Sequence, residues 1–181
     1  MAGALRGRRL AIPREASLRP TPGLLRETLF NWLQPYVDGA HGLDVCAGSG
    51  ALGFEALSRG AASMTFVERS RQAALSIKSN MAHFGLRNVS LQCGDARLVL
   101  SRLAAQGACY DMAFLDPPFT NPMLAPQLIA LLLKDGMIRP GGLLYVERPV
   151  GAALLSESRL RLYRQSHCGR SQGTLYVVDE V

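Results

Sequence analysis

The sequence predicts an α/β fold, a mostly parallel sheet with helices on both faces and a C-terminal antiparallel hairpin. Three observations carry that expectation. From residue 43 onward, short apolar runs of strand length alternate with helical stretches, the pattern of parallel strands joined by crossover helices. The alternation ends near residue 147, and two strand-like runs at 160–164 and 174–178 follow with no long helix between them. A length of 181 residues suits one domain with a substantial core.

Taken in order, residues 1–20 read as an arm with a short strand over 9–12, ended by Pro13. Leu24, Leu25, Thr28, Leu29 and Leu33 recur at helical spacing, so a helix follows Pro22 and stops near 35–39. The first buried strand covers 43–46 and runs into the glycine-rich 47–53 and a helix to about residue 58. The second strand covers 63–67 and ends at Glu68. A helix over 71–84 follows, with Gly85 as its C-terminal stop. The third strand spans 89–93, then Gly94-Asp95-Ala96 and a helix to about residue 105. The fourth, 110–115, ends at Asp116-Pro117-Pro118-Phe119. A helix covers 125–133, Pro140-Gly141-Gly142 makes a turn, and the fifth strand is 143–147. Residues 167–173 read as a polar loop joining the last two strands. The chain thus divides into a basic arm with a packing helix, 1–39, and a main domain, 40–181.

Composition narrows the classes of function. No apolar run approaches the ~20 residues of a membrane span, and the N-terminus carries no apolar core followed by a cleavage site, so a cytoplasmic protein is expected. Cys46, Cys93, Cys109 and Cys168 are scattered without C-x-x-C spacing, and His41, His83 and His167 lie far from one another, so no metal centre is expected. The net charge is +6, and every basic residue except Lys78 and Lys134 is arginine. Arg6, Arg8, Arg9, Arg14, Arg19 and Arg26 crowd the N-terminus; Arg159, Arg161, Arg164 and Arg170 crowd the closing hairpin. Such a distribution suits a phosphate-rich partner, since each cation–phosphate contact releases counterions. A solvated basic surface is the plainer alternative.

Ligands of open parallel sheets bind beyond the carboxyl ends of the strands. The residues there are Ala47-Gly48-Ser49-Gly50, Glu68, Asp95-Ala96 and Asp116-Pro117-Pro118-Phe119. Gly48, Gly50 and Gly53 form a G-x-G-x-x-G-type turn that lets a ligand approach the backbone, in nicotinamide and S-adenosylmethionine enzymes alike. Glu68 can take both ribose hydroxyls of either cofactor. Asp44 discriminates: a carboxylate inside the first strand suits a ligand with a cationic end, such as the ammonium of S-adenosylmethionine. Asp95-Ala96 suits an adenine ring, and Asp95 equally suits a helix N-cap. At Asp116, two prolines stop the strand and fix the backbone, leaving a carboxylate, a rigid turn and an aromatic ring at the strand tip. A plain strand-ending turn is the alternative there.

These residues carry a resemblance. Leu43-Asp44-Val45-Cys46-Ala47-Gly48-Ser49-Gly50 resembles the first motif of class I S-adenosylmethionine-dependent methyltransferases. Asp116-Pro117-Pro118-Phe119 resembles the (D/N/S)-P-P-(Y/F) motif of those that methylate exocyclic amino nitrogens. Arg6-Gly7-Arg8-Arg9-Leu10, Leu18-Arg19-Pro20-Thr21, Arg26 to Leu33 and Ala47 to Ala61 are together similar to the RsmD family. The chain departs from that family at Gly23-Leu24-Leu25, where the family tends to carry D-R-V. The resemblance implies a Rossmann-like fold with a mostly parallel seven-stranded sheet, and transfer of a methyl group from S-adenosylmethionine to guanine N2 in bacterial 16S rRNA. The target would be a single guanine in the small-subunit head (the guanine 966 type of site), within the 30S subunit or an assembly intermediate. It further implies Asp116, Pro117, Pro118 and Phe119 as catalytic residues; a monomer is expected because a small one-domain enzyme on a large substrate needs no partner chain. The cofactor would lie on Asp44, Ala47, Gly48, Ser49, Gly50, Glu68, Asp95 and Ala96, and RNA on Arg6, Arg8, Arg9 and Arg19. Adenine N6 of DNA or RNA, glutamine in protein, a nicotinamide-dependent oxidation and a non-catalytic RNA-binding assembly role remain as alternatives.

Overall fold

The computed structural model of the protein describes residues 1–11 and 22–180. Seven strands, β1 (His41–Val45), β2 (Ser63–Glu68), β3 (Val89–Cys93), β4 (Tyr110–Leu115), β5 (Ile138–Pro149), β6 (Leu160–Cys168) and β7 (Ser171–Val178), form one sheet in the order β3-β2-β1-β4-β5-β7-β6. The first five run parallel, and β7 lies antiparallel to both β5 and β6. Among the described residues there are five α-helices: α1 (Gly23–Leu33) precedes β1, and α2 (Ala51–Ser58), α3 (Arg71–His83), α4 (Ala96–Ala105) and α5 (Leu124–Lys134) join β1 through to β5. The α/β, Rossmann-like architecture expected from the sequence, with its closing hairpin, is the one observed. The chain winds outward from β1 to β3 and then crosses to β4 on the other side of β1. The switch point therefore falls between the carboxyl ends of β1 and β4.

Alternation along the strands divides the apolar side chains between two cores. Leu43, Val45, Ala113, Leu115, Leu144 and Val146 point to the face covered by α4 and α5, where Val99, Leu100, Leu128, Ile129 and Leu132 meet them. Phe66, Met112, Phe114, Leu143, Tyr145 and Leu175 point to the other face, against α1, α2 and α3 through Leu29, Phe30, Leu33, Phe54 and Ile77. Asp44 falls on this second face, because it pairs with Phe66 of β2 and Phe114 of β4. The helical spacing of α1 holds for Leu25, Leu29 and Leu33, which are buried, while Leu24 faces solvent. Among the described residues no helix is long and apolar enough to cross a membrane.

Three local expectations need correction. Arg9 to Ala11 form no strand. The Ala11 amide and carbonyl are bound by the Asn80 side chain at 3.0 and 3.1 Å, and the carbonyl also by Ser76 at 2.6 Å, so side chains of α3 replace a ladder. The arm begins instead with a short 3-10 turn, Gly3–Leu5; Ile12 and Pro13 lie outside the described residues. Pro140-Gly141-Gly142 does not separate two elements but lies inside β5. The register jumps from Tyr110↔Ile138 to Met112↔Leu143, a bulge that absorbs the extra residues while the chain stays beside β4. Finally, 167–173 is not a loop. β6 and β7 continue through it and turn at Gly169-Arg170, pairing Ser166↔Gly173, His167↔Gln172 and Cys168↔Ser171. Polar side chains disguised a stretch whose backbone is paired, on both sides in β7 and on one side in the edge strand β6.

Candidate active site

The glycine loop takes its shape from three left-handed residues. β1 ends at Val45, and Cys46, Gly48 and Gly50 follow with φ of 60, 56 and 75°. Cys46 is the one non-glycine with positive φ among the described residues, a costly conformation for a side chain. Gly50 opens α2 against the aromatic core, since a Cβ there would stand 2.8 Å from the Phe54 ring. A Cβ on Gly53 would overlap the Phe66 ring. The bare backbone of Gly50 and Gly53 thus lets the amino end of α2 settle on the sheet.

Two buried carboxylates brace this loop. Asp44 Oδ2 accepts from the Gly53 amide at 2.9 Å, tying β1 to the first turn of α2. Burial pushes the Asp44 carboxyl up to about 8; the Gly53 hydrogen bond opposes that and the nearby Glu68 charge adds to it. Glu68 spans two segments. Its Oε2 accepts from the Gly48 amide and its Oε1 from the Ser70 amide, both at 2.7 Å. The loop after β1 is thereby fastened to the tip of β2. The sequence pointed to a ligand role for Glu68; the structure adds this bracing, and each carboxylate oxygen retains a second acceptor position.

At the tip of β3, Asp95 is the N-cap of α4, accepting from the Arg97 amide at 2.9 Å and pairing with the Arg97 guanidinium at 2.8 Å. Hydrogen bonding from the Arg97 side chain pulls the Asp95 carboxyl down to about 2. Ala96 is the first residue of α4. At the tip of β4, Asp116 and Phe119 are half-buried, Pro117 is buried and Pro118 exposed. The Pro118 carbonyl accepts from the Asn121 amide at 3.1 Å, which carries the chain round towards α5.

The electrostatics of Cys46 show which of these groups converge. Its thiol is pushed up to about 12, first by burial and then by Glu68, Asp116 and Asp44 in that order, with Arg69 opposing. Carboxylates from the ends of β1, β2 and β4 thus act on one thiol at the switch point. Asp95 is absent from that set, as its place two strands from β1 requires.

One neighbour was not singled out from the sequence. Asp116 follows the pair Leu115↔Val146 and therefore comes abreast of Glu147 on β5. Glu147 is buried, and the Tyr145 hydroxyl beneath it lies so close to Gly173 that a Cβ there would overlap it. Burial, then Glu147 and Asp116, push the Tyr145 phenol up. The signal was present, an acidic residue ending an apolar strand run, as at Glu68 and Asp116.

The basic arm is set apart from the strand tips. Its 3-10 turn rests on α2, with the Ala2 amide on Glu55 Oε1 at 3.1 Å and the Leu5 amide on Ser58 Oγ at 2.8 Å. Arg6, Arg8 and Arg9 are exposed, and Arg8 lies 5.7 Å over the Phe84 ring at the end of α3. They sit near the far end of α2 from the glycine loop, roughly 10 Å along the helix axis. Arg14 and Arg19 lie outside the described residues. A cavity of about 350 Å³, lined by Leu57, Ala61 and residues 85–89, opens at the amino ends of β2 and β3, away from these carboxylates.

Comparison with known proteins agrees with this geometry. Residues 1–177 match the family model described as Conserved hypothetical protein 95. The ribosomal RNA small subunit methyltransferase D of Escherichia coli strain K12 is 39% identical over 181 residues, covering 97% of this chain and 87% of that protein. Its counterpart in Haemophilus influenzae is 36% identical, covering 97% and 91%. The solved structure of the putative methyltransferase yhhF from Escherichia coli superposes with a TM-score of 0.89 at 37% identity, over 99% of this chain and 96% of that one. Carrying the glycine loop and Asp116-Pro117-Pro118-Phe119 at the switch point of a seven-stranded sheet, the chain belongs to the RsmD family of methyltransferases.

Proposed function

We propose that this chain transfers a methyl group from S-adenosylmethionine to the exocyclic N2 of one guanine in 16S rRNA, acting as a cytoplasmic monomer on the 30S subunit or an assembly intermediate. The observation that carries the reading is the Glu68 brace, which ties the glycine loop after β1 to the tip of β2, beside the switch point where neighbouring β4 ends at Asp116. The family relationship supports rRNA as the substrate class.

The residues fit the cofactor. Gly48 and Gly50 turn the backbone through left-handed conformations, and Asp44 buries a carboxylate behind them, as the ammonium end of an amino acid requires. Glu68 would hold the ribose, and Asp95 with Ala96 the adenine edge; Ala47 and Ser49 complete the wall. Bound there, S-adenosylmethionine supplies an electrophilic methyl on a sulfonium. The chain's own task is alignment. Guanine N2 is a poor nucleophile, because its lone pair is delocalised into the ring. Asp116 and the Pro117 carbonyl would accept the two N–H hydrogens, draw the nitrogen towards tetrahedral geometry and aim the lone pair at the methyl carbon. Pro118 fixes the turn, and Phe119 stacks on the base. Asp116 then takes the proton that the methylated nitrogen sheds, so a strong base is unnecessary. These are preorganised acceptors placed where charge develops. The base must leave its stack or lie in an open loop.

The test is tritium transfer from labelled cofactor to undermodified 30S particles, free 16S RNA and DNA in parallel, with digestion to nucleosides. The expected product is N2-methylguanosine from RNA. Absence of label from both RNA substrates overturns the reading, and N6-methyladenine would move the activity to adenine.

A further inference from the structure

The edge of the sheet carries a surface that neither the cofactor nor the target base uses. On β6 the register runs Leu162↔Tyr176 and then Arg164↔Leu175, so Tyr163 is an extra residue without a partner on β7. A bulge on an edge strand re-aims its side chains. Here it turns Tyr163 towards Tyr36, just beyond α1. The two rings meet edge to face at 6.3 Å and 82°, with their hydroxyls 3.2 Å apart. The Arg164 guanidinium lies 4.5 Å over the Tyr163 ring. Tyr36 is 45% exposed, and Arg164 is exposed.

Two rings and a planar cation at the surface are an unusual use of an edge strand. Burial accounts for them only in part, since Tyr163 packs against the core shared with α1 but stays half-buried, and Tyr36 is exposed. Their surroundings are cationic. Arg161, His167 and Arg170 are exposed along the same hairpin, where Arg161 pairs with Asp179. The platform is level with the middle of the sheet. It stands three strand spacings from β4, roughly 15 Å to the side, and two residues back along the strands from the Asp116 tip. That is a span of a few nucleotides.

We propose that Tyr36, Tyr163 and Arg164 form a stacking platform for an unpaired base of single-stranded RNA flanking the methylated nucleotide. Aromatic faces and guanidinium planes stack any base, and neighbouring arginines hold the phosphates, so the platform contributes affinity without reading sequence. The inference rests on RNA being the substrate, but not on which base is methylated.

Binding without chemistry separates the two claims. A fluorescein-labelled single-stranded 16S fragment is titrated with the full chain in the absence of cofactor, against a duplex of the same sequence. The single strand should bind more tightly, and Tyr36→Ala with Tyr163→Ala should weaken it about tenfold or more while S-adenosylhomocysteine affinity and kcat stay unchanged. Tyr36→Phe with Tyr163→Phe keeps both ring faces and should restore binding. Unchanged affinity in the double alanine variant overturns the platform, and so does equal weakening in the phenylalanine variant. Should the double alanine protein not fold, Arg164→Ala carries the same test, with a loss confined to the single strand. Stacking-dependent binding without methyl transfer to RNA would sink the proposed activity and leave the platform standing.

Discussion

Replacing Asp44 with asparagine should flatten the pH dependence of stability. In the folded chain the carboxyl is raised to about 8 by burial, whereas in the unfolded chain it titrates near 3.8. Between those values the folded state holds a proton that the unfolded state has lost. The unfolded state binds fewer protons, so stability falls as pH rises through this window. The slope is about 1.4 kcal/mol per pH unit, or roughly 2.7 kcal/mol between pH 5 and 7. The asparagine amide would keep the acceptor for the Gly53 amide without titrating. Urea midpoints for both proteins at pH 5, 6 and 7 give the difference directly, and groups common to both cancel. The difference should shift in favour of the variant by about 1.4 kcal/mol for each unit of rising pH. A difference that stays constant across the range would refute the argument that Asp44 is a raised, buried acid. The same proton bears on the ligand. Since pairing with an ammonium requires the ionised carboxylate, wild-type affinity for S-adenosylhomocysteine should rise with pH up to about 8, and the variant's should be weaker and flat.

Other expectations follow from the bracing and the arm. Glu68→Ala strands the Gly48 and Ser70 amides; it should cost about 2 kcal/mol, lower Tm by roughly 4–8 °C and weaken cofactor-analogue binding at least tenfold, as calorimetry would read. Asn80→Ala removes both hydrogen bonds from its side chain to Ala11, so amides of the first eleven residues should exchange faster while Tm changes little. Arg6→Ala with Arg9→Ala should reduce the slope of log affinity for RNA against log salt by about 1 to 2, with kcat unaltered.

Much of the fold was legible because buried parallel strands announce themselves as apolar runs and end where a polar or helix-breaking residue appears. Asp44 was legible because it interrupts such a run, and Glu68 and Asp116 because each ends one. Glu147 meets the same rule and was passed over, since its strand leads into the closing hairpin and not into a loop and helix. The left-handed Cys46 has no sequence signature; only the path from β1 into the glycine loop imposes it. The hairpin's length was hidden because backbone pairing is indifferent to side-chain polarity, so that buried Ser171 and Gln172 read as loop residues. The bulge at Tyr163 was hidden for a related reason, since it follows from the register between two strands and not from either alone. The arm misled the reading because Ala11 finds its partners in side chains of α3, sixty-nine positions away at Asn80.

The central claim is that Asp116 acts on the amine during methyl transfer and takes no part in holding the cofactor. Single-turnover transfer by Asp116→Ala, measured beside its S-adenosylhomocysteine affinity, tests it most directly. The account predicts a rate at least about a hundredfold lower, with affinity within about twofold of the wild type. Loss of affinity equal to the loss of rate, or a rate like that of the wild type, would contradict it.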